Sequence, residues 1–181
     1  MLIIKLVNEE NKCQYAFPQD VKNLLRYINK PEATVYSQGS CHRLVGMAPD
    51  IISADQPGAW ERADKLFYNQ IMLFPKHPSS LVMHRVISFK TEASQDPIMA
   101  FMLAREVADF YLYCGYITFF GVHMDTDNLH IHIAASAISW RDGSKFSIWN
   151  EPALLYQRIN EWYQNYIRGT PTPLFYNDPI N

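Results

Sequence analysis

Three of the chain's six histidines, His123, His130 and His132, fall within one short segment. Imidazole is a common ligand for divalent metals, and three neutral imidazoles leave coordination positions open for a water or a phosphate oxygen. Side chains alternate along a strand, so Leu129, Ile131, Ile133, Ala135 and Ala137 form one apolar face. His130, His132, Ala134 and Ser136 form the other, polar and small enough to leave room for a ligand. A two-residue turn at Asp127-Asn128 sets His123 opposite His132 and Asp125 opposite His130. All three imidazoles then converge on one face, a divalent metal site in which Asp125 accepts a ring N–H and fixes the orientation of an imidazole.

The elements that must position these residues follow from pattern and punctuation. LIIKLV (2–7), LVMHRVISF (81–89), YITFFGVH (116–123) and LHIHIAASAIS (129–139) read as strands. Asp20 caps a short helix whose stripe is Val21, Leu24, Leu25 and Ile28, with Tyr27 on its flank near the end. A helix from near Pro57 to Leu73 follows, then one over about 95–114 with a face through Ile98, Met102, Val107 and Phe110, and one over 153–167 behind Pro152. The tight connection between 123 and 129 demands an antiparallel pair. The fold class is therefore α+β, an antiparallel sheet with helices packed on one face. Residues 1–168 make one domain, and Arg168-Gly169 with the Pro-rich run behind it begins a tail, 169–181.

A chain of 181 residues, 48% hydrophobic and 19% charged, can bury a large core and is unlike a disordered segment. No apolar run reaches the length of a membrane span, and the N-terminus lacks a leader pattern, so the expectation is a cytoplasmic protein without membrane contact. Cys13, Cys41 and Cys114 have no metal spacing and read as free thiols. The net charge of -2 gives no electrostatic support to nucleic-acid binding, although residues 1–43 hold six Lys/Arg against four acids.

The run His123-Met-Asp125-Thr-Asp-Asn-Leu-His130-Ile-His132 fits the pattern H-x-D-x-x-x-x-H-x-H. It resembles motif III of the conjugative relaxases, the nicking-closing enzymes of plasmids and integrative elements within the HUH endonuclease superfamily. LLRYINKPEAT (24–34) is similar to the stretch around the catalytic tyrosine of MOBP-type relaxases from Gram-positive mobile elements, with Tyr27 in that place and Ala33 where lysine is usual. HRVISF (84–89) resembles the intervening strand, with its serine at Ser88, and the ISWRDGSKF hairpin is also family-like.

The resemblance covers residues 1–150. It implies Tyr27 as nucleophile near a metal on His123, His130 and His132, with Asp125 beside it in the catalytic set. Function asks for Mg2+ or Mn2+, whereas all-imidazole ligation holds Zn2+, Ni2+ or Co2+ more tightly in a purified sample. It further implies single-stranded DNA at an origin of transfer as partner, with an accessory nicking protein and a coupling protein. Ser88, Arg26, Lys30, Arg85 and Arg43 are the expected DNA contacts, Tyr36 and Tyr15 the alternative nucleophiles, and His84 a structural residue. Ser136 departs from the asparagine common in relatives. Three rival readings stand beside this one: a DNA-binding module with a structural metal and no turnover, another HUH nuclease, a replication initiator or transposase, and a generic metal-dependent hydrolase that releases its product without a protein–DNA link.

Overall fold

The computed structural model describes residues 2–6, 15–33, 45–48, 59–74, 76, 78–89 and 96–169. In chain order these form β1 (Leu2–Leu6), α1 (Pro18–Ile28), β2 (Val45–Ala48), α2 (Ala59–Leu73), β3 (Val82–Phe89), α3 (Pro97–Tyr113), β4 (Thr118–His123), β5 (His130–Ser136) and α4 (Glu151–Arg168). Strand β2 is an addition to the expected set. Pro18 opens α1, and Asp20 serves it from inside the first turn, its carboxylate accepting the Phe17 N–H at 2.9 Å. Gly169, with φ of +65°, closes α4 where the sequence pattern ends it.

The strands form one antiparallel sheet in the order β1-β3-β5-β4-β2, which places the histidine strand at the centre. One face takes Ile131, Ile133 and Ala135 of β5 with Phe120 and Val122 of β4, packed under Leu103 and Val107 of α3 and Leu155, Ile159 and Trp162 of α4. The opposite face takes Val82, Phe119 and Ala134, packed under Leu24, Leu25 and Ile28 of α1 and Phe67 and Ile71 of α2. The α+β class and antiparallel sheet are as expected, but helices cover both faces rather than one. The physical reason lies beyond β5: its neighbours contribute Val82 and Phe119 to the histidine-bearing face, and that apolar end stays dry only beneath a second helical layer.

Two further expectations change. β4 ends at His123 and β5 starts at His130, so the two-residue turn at Asp127-Asn128 is replaced by a longer connection. His123 pairs with His130, and Gly121 with His132. This register differs from the expected one by two residues, an even slip that leaves every side chain on its expected face. In α3, Ile98 and Met102 are exposed, while Met99, Ala100, Leu103, Ala104, Val107 and Ala108 meet the sheet. Among the described residues no helix is long and apolar enough to cross a membrane.

Candidate metal centre

β4 and β5 supply three buried imidazoles, His123, His130 and His132, whose ligand nitrogens all lie within 4.8 Å of one another. Their outer partners decide which nitrogen each one turns inward. His123 Nε2 lies 2.8 Å from the Ile28 carbonyl, and His130 Nδ1 lies 2.9 Å from the Asn128 carbonyl. A carbonyl only accepts, so both of those nitrogens carry the proton. The lone pairs are left on His123 Nδ1 and His130 Nε2. Among the described residues, His123 Nδ1 is buried with no hydrogen-bond partner. Such an orphaned acceptor is costly in a finished core and suits a ligand atom. The third imidazole, His132, has its Nδ1 2.9 Å from His84 Nε2, which leaves Nε2 for the centre.

Burial lowers the His123 imidazole below its usual range. It takes His132, with help from the neighbouring imidazoles, down to about 2. His84 falls to about 4, chiefly by burial and then by the charge of Arg85. At neutral pH these rings are uncharged, the form in which imidazole binds a metal. The donor set and its geometry thus fit a divalent ion.

Tyr27 comes to this centre through a close approach of α1 to the sheet. A side-chain carbon at Gly121 would lie 2.4 Å from the Ile28 carbonyl oxygen, so only glycine lets the end of α1 settle there. The Tyr27 hydroxyl then lies 3.5 Å from His132 Nε2, and its ring meets those of His132 and His123 edge-on at 5.1 and 5.5 Å. Tyr27 is 41% exposed, open to a ligand from solvent. Burial and the Asp125 carboxylate hold its phenol above the ordinary value. After α1 the Ala33 carbonyl accepts the N–H of Met124, the residue that follows β4, at 3.0 Å.

The remaining expected residues divide. Asp125 has one oxygen 3.5 Å from His130 Nε2, on the triad side of the ring, and the other 3.9 Å from Lys30 Nζ. The outer N–H of His130 goes to Asn128 rather than to Asp125. Lys30 also lies 3.9 Å from Glu32. Ser88 is half-buried on the histidine face, directly across from His130. Arg26 is exposed and lies over the Trp60 ring, 5.4 Å from its centroid. Tyr15 is one ring removed from the imidazole triad, its hydroxyl 2.8 Å from His84 Nδ1. The Ser136 hydroxyl is engaged locally with the Ile138 backbone. Arg43 and Tyr36 lie outside the described residues.

Arg85 is not available to DNA. It is buried in the other layer, paired through two nitrogens with Glu151 at 2.8 and 2.6 Å, and Tyr111 donates to the same carboxylate. Strand alternation carried this signal, because His84 and Ser88 on the histidine face require Arg85 to point away. No local pattern marks Gly121 as the seat of α1, whereas the strand parity that His84 shares with Ser88 points it to the site rather than to a purely structural role.

Comparison with curated proteins finds no match. The family model described as relaxase, MobA/VirD2-like, nuclease domain matches residues 50–166, about two thirds of the chain. The match contains all three histidines, Ser88 and Gly121, while Tyr27 precedes it. With an antiparallel α+β fold built around that histidine cluster, the chain belongs to the relaxase family with a MobA/VirD2-like nuclease domain.

Proposed function

We propose that this nuclease domain cuts and rejoins single-stranded DNA at an origin of transfer, with Tyr27 as the nucleophile, to start conjugative transfer or mobilization. The observation that carries the reading is the Tyr27 hydroxyl, solvent-reachable and 3.5 Å from His132 Nε2 at the edge of the imidazole triad. The Tyr27 oxygen attacks the phosphorus, a P–O bond to the tyrosine forms, and the bond to the 3'-oxygen breaks. The product is a 5'-phosphotyrosine and a free 3'-hydroxyl, which by the reverse attack restores the strand. The phenolic proton must leave, and burial beside Asp125 makes that loss harder, so the reading requires positive charge at the centre. A divalent ion held by His123, His130 and His132, Mg2+ or Mn2+ in function, would supply that charge and steady the phosphate oxygens.

The chain's own residues do the positioning. The Ile28 and Asn128 carbonyls hold two imidazoles in the ligand tautomer, and the seat of α1 on Gly121 holds the tyrosine. Asp125 ties the loop after His123 to Lys30. Ser88, across from His130, is suited to a phosphate oxygen, and Arg26 and Lys30 to the DNA backbone. An accessory nicking protein and a coupling protein are partners in this reading.

The test uses single-stranded oligonucleotides tiled across the DNA flanking the gene, with Mn2+ or EDTA, resolved on a denaturing gel. A slow-migrating protein–DNA adduct that needs the metal and disappears in Tyr27→Phe is expected. Cutting without an adduct removes Tyr27 from the mechanism and favours a metal-dependent hydrolase. DNA and metal binding with no cutting on any tile favours a binding module.

A further inference from the structure

Two of the three imidazoles are oriented by backbone carbonyls, which cannot reverse a hydrogen bond. The third is oriented by a side chain. We propose that His84, itself held by Tyr15, is a positioning residue that fixes His132 with its Nε2 lone pair turned into the triad. The inference rests on the metal reading of the centre given above.

The geometry is a chain of three contacts. Tyr27 Oη lies 3.5 Å from His132 Nε2, His132 Nδ1 lies 2.9 Å from His84 Nε2, and His84 Nδ1 lies 2.8 Å from the Tyr15 hydroxyl. Strand register makes it possible. His84 sits opposite Ala134 on β5, two residues from His132, so the two rings are diagonal neighbours on one face over a methyl side chain. Their centroids are 5.2 Å apart, and the Tyr15 ring meets His84 edge-on at 5.9 Å. His84 is buried, which keeps water from replacing its contacts.

Each neutral imidazole has one N–H and one lone pair, so the chain runs in one of two directions. If Tyr15 donates to His84, then His84 donates to His132, and the His132 proton ends on Nε2, where it blocks a ligand. If His132 donates from Nδ1 to His84, then His84 donates from Nδ1 to the Tyr15 oxygen, and His132 Nε2 is free to bind. Ligation selects the second direction, and His84 must accept for it to form. A side chain that orients a ligating histidine typically governs metal affinity by about 10–100-fold.

Co2+ affinity of the full chain, measured by calorimetry with the visible spectrum of the bound ion, tests this without reference to cleavage. His84→Leu fills the buried space without an acceptor, and its affinity is expected to fall about 10–100-fold. His84→Gln, whose side-chain oxygen accepts the His132 N–H at similar reach, is expected to return to within a few-fold of wild type. Tyr15→Phe, which removes the hydroxyl 2.8 Å from His84 Nδ1, is expected to fall in between. Where His84→Leu does not fold, as judged by circular dichroism, His84→Ala takes its place. An affinity for Leu or Ala within two-fold of wild type overturns the proposal, as does a Gln variant as weak as Leu. A wild-type chain that binds no Co2+ overturns the metal reading and the role of His84 together, whereas equal binding by wild type and His84→Leu removes only the latter.

Discussion

The smallest change expected to disable the centre is a single methyl group, Gly121→Ala. The added carbon would sit 2.4 Å from the Ile28 carbonyl oxygen and 3.0 Å from the Ile28 Cγ2. Ordinary contact requires the end of α1 to lift by about 1 Å, and overpacking of this kind costs about 1–3 kcal/mol. The displaced carbonyl is also the acceptor for His123 Nε2 at 2.8 Å. Stretching that bond leaves a buried N–H poorly met, a further cost of about 1–3 kcal/mol that overlaps the first. A combined loss of about 2–4 kcal/mol corresponds to a fall in melting temperature of about 5–15 °C for a chain of this size. Tyr27 adjoins Ile28, so it lifts with the helix, and a 1 Å error in a reacting group costs on the order of 100-fold in rate. The assay pairs a thermal melt with the rate of adduct formation on the cognate oligonucleotide, measured where the variant is fully folded. Because the obstacle is backbone, Gly121→Ala/Ile28→Ala is expected to stay impaired. Wild-type melting and wild-type adduct rate in Gly121→Ala would refute the argument that this glycine seats the tyrosine, and rescue by the Ile28 change would show that the side chain was the obstacle.

Arg85→Met or Glu151→Leu alone leaves an unpaired charge in the core and is expected to cost about 3–5 kcal/mol in chemical denaturation, with the double variant recovering most of it. If Arg85→Met instead weakens DNA binding at unchanged stability, its assignment to the core is wrong. Adding Mn2+ or Co2+ at 100 times its dissociation constant is expected to stabilise the protein by about 2.7 kcal/mol, seen as a rise in melting temperature of about 5–10 °C that EDTA reverses. His123→Ala/His132→Ala should abolish that rise, and its persistence would place the ion elsewhere.

Much of the centre was legible because strand alternation is insensitive to even errors of register. His123, His130 and His132 share a face whether His123 pairs with His132 or with His130, so a mistaken turn still gave the right cluster. Odd errors have no such protection: Arg85 was assigned to DNA only by neglecting its parity against His84 and Ser88. The stripe Val21, Leu24, Leu25 and Ile28 was read correctly because its polar flanks define one buried side. α3 is apolar on most sides, so periodicity picked Ile98 and Met102, whereas the sheet selected Ala100, Ala104 and Ala108, whose small side chains allow close packing. What stayed hidden was long-range. The contacts of Tyr15 with His84, of His84 with His132 and of Gly121 with Ile28 join positions that no local pattern relates, and they appear only once α1 is seated on the sheet.

Strand order also bears on when in its synthesis the domain becomes competent. β3 and β4 both run antiparallel to β5, so they lie parallel to each other with a one-strand gap between them until β5 enters. A nascent chain that stops before His130 carries Tyr27, His84 and His123 but has neither the other two imidazoles of the triad nor the strand that joins the two halves of the sheet. Tyr27 and His132, 105 positions apart, meet only through that last insertion. Long-range closures of this kind are slow relative to local folding. On the reading proposed above, a chain that ends before His130 lacks the complete centre, so the capacity to cut arrives only once β5 has joined the sheet.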